Sequence, residues 1–291
     1  MQDLATYFAQ GNILVADGAT GTMMQSMGLP AGTPPELWNV EKPDSVRSLY
    51  RAYLDVGSRV ILTNSFGGSR IKLQRSGGMG ARAYELNHAA AILAKKEAGD
   101  KAYVAGDLGP TGELMEPYGT LAYEDAVDAF AQQTEALVKG GVDLLWAETM
   151  SDLSEARAAV EGAKRVTDLP IFCSFSFTKS GRTMMGVTPT QVADALGPMG
   201  LLAIGTNCGE GLDIMAPILA EFKRALPDAL LIAKPNAGLP RLEDGKTVFD
   251  LGADEFAAHM PHLIELGARV VGGCCGSSPQ HIAAIVTALS S

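Results

Sequence analysis

Short runs of consecutive apolar residues recur along the chain at roughly regular intervals. Such runs are typical of strands that are buried on both faces of a parallel sheet. The pattern predicts eight strands, at residues 13–16, 60–63, 102–106, 143–147, 171–175, 202–206, 230–234 and 269–272.

Between these runs, apolar residues recur every three or four positions, which is the spacing of an amphipathic helix. A capping residue followed by proline marks helix starts at Thr188-Pro189 and Ser278-Pro279. The predicted helices cover residues 45–56, 81–98, 123–139, 153–166, 190–196, 213–226, 253–266 and 279–289.

Strand and helix therefore alternate about eight times, which predicts an α/β fold of the (β/α)₈ TIM barrel type. A doubly wound open sheet is the alternative. No linker or low-complexity segment divides the sequence, so we expect one barrel over residues 1–291. Two proline- or glycine-rich stretches, 28–43 and 109–119, are predicted to be long loops.

The composition narrows the class of protein. The chain has 291 residues, 47% hydrophobic and 19% charged, which is typical of a globular protein. Its net charge of −10 argues against a nucleic-acid partner, because such partners need a basic surface. The sequence shows neither a signal peptide nor a membrane-spanning run, so we expect a cytoplasmic protein with no membrane contact. An exposed apolar face on a barrel helix could support a homo-oligomer.

Three of the four cysteines follow predicted strands. Cys208 comes after the sixth strand, and Cys274 and Cys275 come after the eighth, whereas Cys173 lies inside the fifth. In a barrel the carboxyl ends of the strands meet at one rim, where the chemistry of such folds takes place. Three thiolates with an open fourth position are typical of a catalytic zinc site. We interpret Cys173 as a core residue.

Other interpretations of the cysteines remain open at this stage. The adjacent pair could be a chance feature of a glycine-rich turn, and a redox role is disfavoured because redox motifs space their cysteines by two residues. The barrel could also bind zinc and a thiol without catalysis, or support a different reaction altogether.

Acidic residues also follow predicted strands, and two of them, Asp17 after the first strand and Glu148 after the fourth, are candidates for substrate binding. Together with backbone N–H groups of Gly18, Ala19 and Thr20, they could hold an amino acid at both of its charged ends. Asp17 could instead serve only the turn with Gly18. Paired carboxylates are also found in glycoside hydrolases, but three cysteines at the same rim argue against that class.

A set of motifs then resembles a known family. The motifs are DGATGT at 17–22, TNSFG at 63–67, GPTG at 109–112, ET at 148–149, NCG at 207–209, PNAG at 235–238 and GGCCG at 272–276. Together they resemble the homocysteine S-methyltransferase family, which includes the homocysteine-binding module of cobalamin-dependent methionine synthase and bacterial betaine–homocysteine methyltransferases.

The resemblance implies a zinc-dependent transfer of a methyl group to homocysteine, giving methionine, as a step of methionine biosynthesis. It places Zn²⁺ on the three cysteines, with Asn236 as a displaceable fourth ligand. It also implies a set of substrate-binding residues, namely Asp17 and Glu148 at the amino group, Gly18 and Ala19 near the carboxylate, and Asn64.

The sequence indicates the methyl donor less clearly than it indicates the methyl acceptor. The run 35–39 is shared with bacterial betaine-type relatives, which favours a small onium donor such as betaine. An onium ion favours an aromatic cage, and the candidates are Trp38, Phe66 and Tyr118, with Trp146 and Phe177 as further possibilities. Gly67 and Thr149 do not match the aromatic residues of animal betaine enzymes. The alternative donor is a separate methylcobalamin (corrinoid) protein.

Overall fold

The computed structural model describes residues 1–243 and 246–290. Its strands β1–β10, in chain order, are Leu14–Val15, Val60–Leu62, Tyr103–Leu108, Leu144–Met150, Ile171–Phe175, Ala203–Cys208, Leu230–Pro235, Arg241–Glu243, Lys246–Val248 and Ala268–Val271. The helices of the described residues, α1–α13, are Leu4–Ala9, Gly21–Ser26, Trp38–Glu41, Pro43–Asp55, Arg70–Arg75, Ala83–Ala98, Tyr123–Lys139, Leu153–Lys164, Pro189–Leu196, Met215–Ala225, Ala253–Ala258, Met260–Glu265 and Pro279–Ser290.

Eight parallel strands form the central sheet in the order β1-β10-β7-β6-β5-β4-β3-β2. The two ends of this order meet, because Ala16 bridges to Val60 and the Asp17 N–H donates to the Val60 carbonyl. The prediction of a (β/α)₈ barrel is confirmed. The open doubly wound sheet is wrong, because such a sheet would leave both edge strands unpaired.

The barrel interior is filled by every second residue of each strand. Tyr103 and Ala105 of β3 belong to the inner apolar cluster, whereas Val104 packs in the layer between sheet and helices. Leu4 and Phe8 of α1 join the inner cluster, which covers the amino end of the barrel. The apolar interior is therefore closed at this end by α1.

Several details differ from the sequence-based expectations. The predicted helix 253–266 is two helices, α11 and α12, because Pro261 lies in the first turn of α12 and lacks the N–H that a continuous helix would need. The stretch 28–43 is partly helical, since Pro35–Leu37 form a 3-10 turn and α3 follows directly. The antiparallel pair of β8 and β9 was not predicted. None of the helices in the described chain is both long and apolar enough to span a membrane.

Candidate metal centre and substrate cavity

A cavity of about 470 Å³ opens at the carboxyl end of the barrel. It is walled by the segments that follow several strands, from Asp17 after β1 to Cys275 after β10. The structure brings most of the predicted site residues to this one cavity, namely Asp17, Gly18, Ala19, Asn64, Phe66, Glu148, Cys208, Cys274 and Cys275.

Three cysteines form a compact cluster at the cavity wall. The sulfur atoms of Cys208, Cys274 and Cys275 all lie within 4.8 Å of one another. The cluster is held by the backbone, because the Cys274 N–H donates to the Pro235 carbonyl at 2.8 Å and the Cys275 carbonyl accepts the Ala237 N–H at 3.0 Å. Cys173 is fully buried in β5, away from the cluster.

The backbone is strained where β4 and β6 end. Thr149 and Cys208, at φ of 60° and 59°, are the two non-glycine residues with positive φ in the described chain. The Asn207 side chain lies between them: its Oδ1 accepts the Thr149 N–H at 3.0 Å, and its Nδ2 donates to the Cys274 sulfur at 3.7 Å. Such strain is retained where the surroundings hold it, and it is concentrated at functional sites.

The pKa values of the three cysteine thiols depend on the contacts among them. S–H donation from Cys274 and Cys275 holds the pKa of Cys208 far below that of an ordinary thiol. The pKa values of Cys274 and Cys275 are in turn raised, chiefly by their contact with Cys208. The ionisation of each thiol therefore depends on its neighbours, and a bound cation would favour the thiolate form of all three.

Asn236 lies beside Cys208. Its Nδ2 donates to the Gly209 carbonyl at 3.0 Å, and its contact with Cys208 contributes to the low pKa of that thiol. Its Oδ1 is buried and has no hydrogen-bond partner in the described chain. An orphaned buried oxygen is unusual, and an amide oxygen is an atom that can bind a cation.

Sequence reasoning missed Lys234, which lies between the two predicted acidic residues. Its Nζ donates to Glu148 Oε1 at 2.8 Å and stands 3.5 Å from Asp17 Oδ1. It also lies 4.8 Å from the centre of the Trp146 ring, a cation–π contact. Lys234 is only 2% exposed. A sequence signal for Lys234 was available. This residue lies two positions after Ile232, whose side chain faces the barrel interior, so the lysine side chain is expected to face inward as well.

Two opposing effects set the pKa values of Asp17, Glu148 and Lys234: burial disfavours their charged forms, and the attraction between opposite charges favours them. Burial raises the pKa of Asp17 to about 6, although Lys234 and the Leu62 N–H act in the opposite direction. Burial also raises the pKa of Glu148, again opposed by Lys234. Burial alone would lower the pKa of Lys234, but Glu148 and Asp17 outweigh it, and the net shift is upward. Lys234 is therefore a permanent cation that favours charged carboxylates.

Some of the backbone groups predicted near the substrate carboxylate already form hydrogen bonds within the protein. The Ala19 N–H donates to the Ser277 hydroxyl at 3.1 Å, and Tyr53 donates to the Ala19 carbonyl at 2.7 Å. A side chain on Gly18 would collide with both partners, since a Cβ there would lie 2.7 Å from Ser277 Oγ and 2.8 Å from the Tyr53 hydroxyl. Glycine thus permits this close packing, and Gly18 itself lines the cavity.

Asn64 has a structural task as well as a place at the cavity. Its Nδ2 donates to the Pro35 carbonyl at 2.8 Å and to Asn39 Oδ1 at 2.9 Å. The side-chain amide hydrogens therefore hold the segment around Pro35, which forms part of the cavity wall.

The predicted aromatic residues separate into two groups. Phe66 is 40% exposed and lines the cavity. Trp38 is 3% exposed and does not line it, and Tyr118 is 77% exposed and lies outside it. Trp146 and Phe177 are fully buried in the core. Of the predicted cage residues, Phe66 is thus the one that lies at the cavity, whereas the helical turns of 35–41 bury Trp38.

The comparisons with known proteins agree with this geometry. The family model for homocysteine S-methyltransferase matches residues 14–289. The oxidized form of the homocysteine methyltransferase MmuM from Escherichia coli superposes with a TM-score of 0.82 at 24% identity, covering 99% of each chain. Its metallated form superposes with a TM-score of 0.82 at 24% identity over 98% of this chain and 99% of that one. This chain is a methyltransferase, and it belongs to the homocysteine S-methyltransferase family.

Proposed function

We propose that this enzyme methylates the thiol of homocysteine, giving methionine, at a zinc ion held by Cys208, Cys274 and Cys275. The observation that carries the proposal is the cluster of three sulfurs within 4.8 Å at a cavity that Glu148 and Asp17 also line. A thiol-containing amino acid fits these two features together, since its sulfur and its ammonium group need different partners.

The residues present fit zinc. Zinc–sulfur bonds of about 2.3 Å in a tetrahedral site put the sulfurs about 3.8 Å apart, which is within the observed spacing. Three soft ligands favour zinc over magnesium or calcium. The orphaned Asn236 Oδ1 supplies a weak fourth ligand that an incoming thiol could displace. A metallated form is also known for the E. coli relative.

The bound zinc would lower the pKa of the substrate thiol and so supply a thiolate at neutral pH. The chain's own residues then position the substrate. Glu148 and Asp17, kept charged by Lys234, attract its ammonium group, and the backbone of Gly18 and Ala19 on the cavity wall binds its carboxylate. Holding the thiolate and the methyl donor in line makes a bimolecular reaction effectively unimolecular, and this accounts for a large part of the catalysis.

Replacing Asn236 with alanine is expected to weaken zinc binding about 10–100-fold, the usual effect of losing a weak or supporting ligand. The substitution also removes the hydrogen bond to the Gly209 carbonyl, which supports the turn at Cys208. Competition with a chromophoric zinc chelator measures the affinity. An unchanged affinity would exclude Asn236 from the metal centre.

For the donor, the proposal is a small onium compound such as betaine. Phe66 supports it, because an aromatic ring on the cavity wall can attract a methylated cation. The experiment is methionine formation by zinc-loaded protein and homocysteine, with betaine, dimethylsulfoniopropionate, S-methylmethionine and a methylcobalamin protein in parallel. Activity with the corrinoid protein alone would reject the onium donor. Binding of zinc and homocysteine without turnover of any donor would favour a non-catalytic barrel.

Replacing Phe66 with leucine is expected to raise the KM for the onium donor about fivefold or more, because a cation–π contact contributes about 1–2 kcal/mol. Steady-state kinetics at saturating homocysteine measure it. Tyr118→Leu is the matched control, since that ring lies outside the cavity and its loss should leave the KM unchanged. Equal effects of the two substitutions would remove Phe66 from the donor site.

A further inference from the structure

Asp107 is a buried acidic residue that the proposed reaction does not yet use. It lies on β3, is 5% exposed and lines the cavity. Its backbone is firmly held, because its N–H donates to Thr63 Oγ1 at 2.9 Å and its carbonyl accepts the Ser65 hydroxyl at 2.8 Å. Its carboxyl group, by contrast, has no hydrogen bond or ion pair to any described residue, and Oδ1 is buried. A rigid backbone thus presents an unpartnered carboxyl group at the cavity.

The charges around Asp107 are unbalanced. Three acidic residues, Glu148, Asp17 and Glu36, act on Asp107 against one cation, Lys234. Lys234 contacts Glu148 and Asp17, and it forms no ion pair with Asp107. A second lysine, Lys72, also lines the cavity, but its charge acts on Glu36 and it forms no ion pair with Asp107. Burial, followed by the charge of Glu148, raises the pKa of Asp107 well above its usual range. Asp107 therefore has no cationic partner among the described residues, and an unpaired buried carboxyl group is costly unless a ligand completes it.

An organic ammonium group suits the unpartnered Asp107 carboxyl better than a metal ion does. Among the described residues, the one group of three or more ligand atoms within 4.8 Å is the cysteine cluster, so these carboxyl groups do not converge on a point. A primary ammonium group has three donors that point in different directions, and it can reach separate carboxylates. Lys234 already shows this mode of contact with Glu148 and Asp17.

We propose that Asp107 binds the α-ammonium group of the thiol substrate together with Glu148, and that it selects an amino-acid thiol over a thiol without an amino group. This rests on the proposed function, because the cysteine cluster must hold the sulfur at the other end of the substrate. Asp107 is a specificity residue in this assignment: it contacts the substrate away from the reacting atoms.

The test compares two thiols that differ only in the amino group, homocysteine and γ-mercaptobutyrate. Their affinities for the zinc-loaded enzyme are measured by titration calorimetry, without any methyl donor. In the wild type, homocysteine is expected to bind much more tightly. Asp107→Asn keeps an acceptor oxygen but removes the negative charge, so it is expected to reduce the affinity ratio about tenfold or more. Binding of γ-mercaptobutyrate should change less than about twofold.

Glu36→Gln is the matched control. Glu36 is also a buried carboxyl group on the cavity wall, but it accepts the Gly67 N–H at 2.6 Å. Its replacement removes a neighbouring acid and should leave the affinity ratio of the two thiols unchanged. Asp107→Ser is the second variant if Asp107→Asn does not fold, and the same loss of the ratio is expected.

The outcomes separate the two proposals. An unchanged ratio in Asp107→Asn, or equal weakening of both thiols, overturns the assignment of Asp107 and leaves the zinc methyltransferase intact. A ratio that falls equally in Glu36→Gln also overturns it, because the effect would then be one of general cavity charge. If neither thiol binds the wild type in a zinc-dependent way, the proposed function fails, and the assignment of Asp107 fails with it.

Discussion

Replacing Cys274 with serine is expected to remove zinc and abolish methyl transfer. A serine hydroxyl does not replace a thiolate as a zinc ligand, and two remaining thiolates hold the ion poorly. Loss of a supporting group alone weakens a metal site about 10–100-fold, so loss of a direct ligand should exceed about 100-fold. Zinc stoichiometry by atomic emission and methionine formation with homocysteine in excess measure the two effects.

Cys173→Ala is the control for this substitution. Cys173 is fully buried in β5 and takes no part in the cluster, and burial raises its pKa. Its loss should cost about 1–2 kcal/mol of unfolding free energy while zinc remains bound. Full activity of Cys274→Ser in a sample shown to be free of zinc would reject the metal mechanism, and retention of one zinc per chain would exclude Cys274 as a ligand.

Replacing Lys234 with methionine is expected to destabilise the fold and weaken homocysteine binding together. Removing one partner of a buried ion pair costs about 3–5 kcal/mol, because the other partner stays buried without compensation. Here two carboxylates, Glu148 and Asp17, lose their shared cation and are driven towards the neutral form. Neutral carboxyl groups no longer attract the ammonium group of the substrate. Urea unfolding and calorimetric titration with homocysteine measure both losses.

A double variant separates these two consequences. In Lys234→Met with Glu148→Gln, the buried charge left by the single substitution is removed, so much of the stability should return. Homocysteine binding should stay weak, since the charge that attracts the ammonium group is still absent. A single Lys234→Met variant as stable as the wild type would show that the carboxylates do not depend on Lys234.

The barrel could be predicted because its signal is local. Parallel strands buried on both faces are continuous apolar runs, and all eight barrel strands lie at such runs, with ends that differ by a few residues. Helix ends were harder to predict where a single residue determines whether a helix continues. Pro261, for example, divides the predicted helix 253–266 into two. The pair β8 and β9 lay outside the pattern, because the side chains of β8 are exposed and carry no apolar run.

The candidate site was predictable in part for the same reason. Residues that directly follow parallel strands share one rim, so Cys208 could be joined to Cys274 across 66 positions of sequence. Lys234 was missed because it lies inside a predicted strand, and Asp107, which directly follows the predicted third strand, was given no role. Both continue the inward-facing alternation of their strands, after Ile232 and Ala105, and that alternation was the overlooked signal.

By itself, the sequence determined the barrel, the rim on which the cysteines lie and the family to which the motifs point. These depend on strand periodicity and on which residue follows each strand. Only the tertiary structure decided which side chains meet. It placed Lys234 between Glu148 and Asp17, left the Asp107 carboxyl without a partner, and buried Trp38 away from the cavity. Such contacts join residues far apart in the chain, and their free energies depend on burial and distance, which no local pattern records.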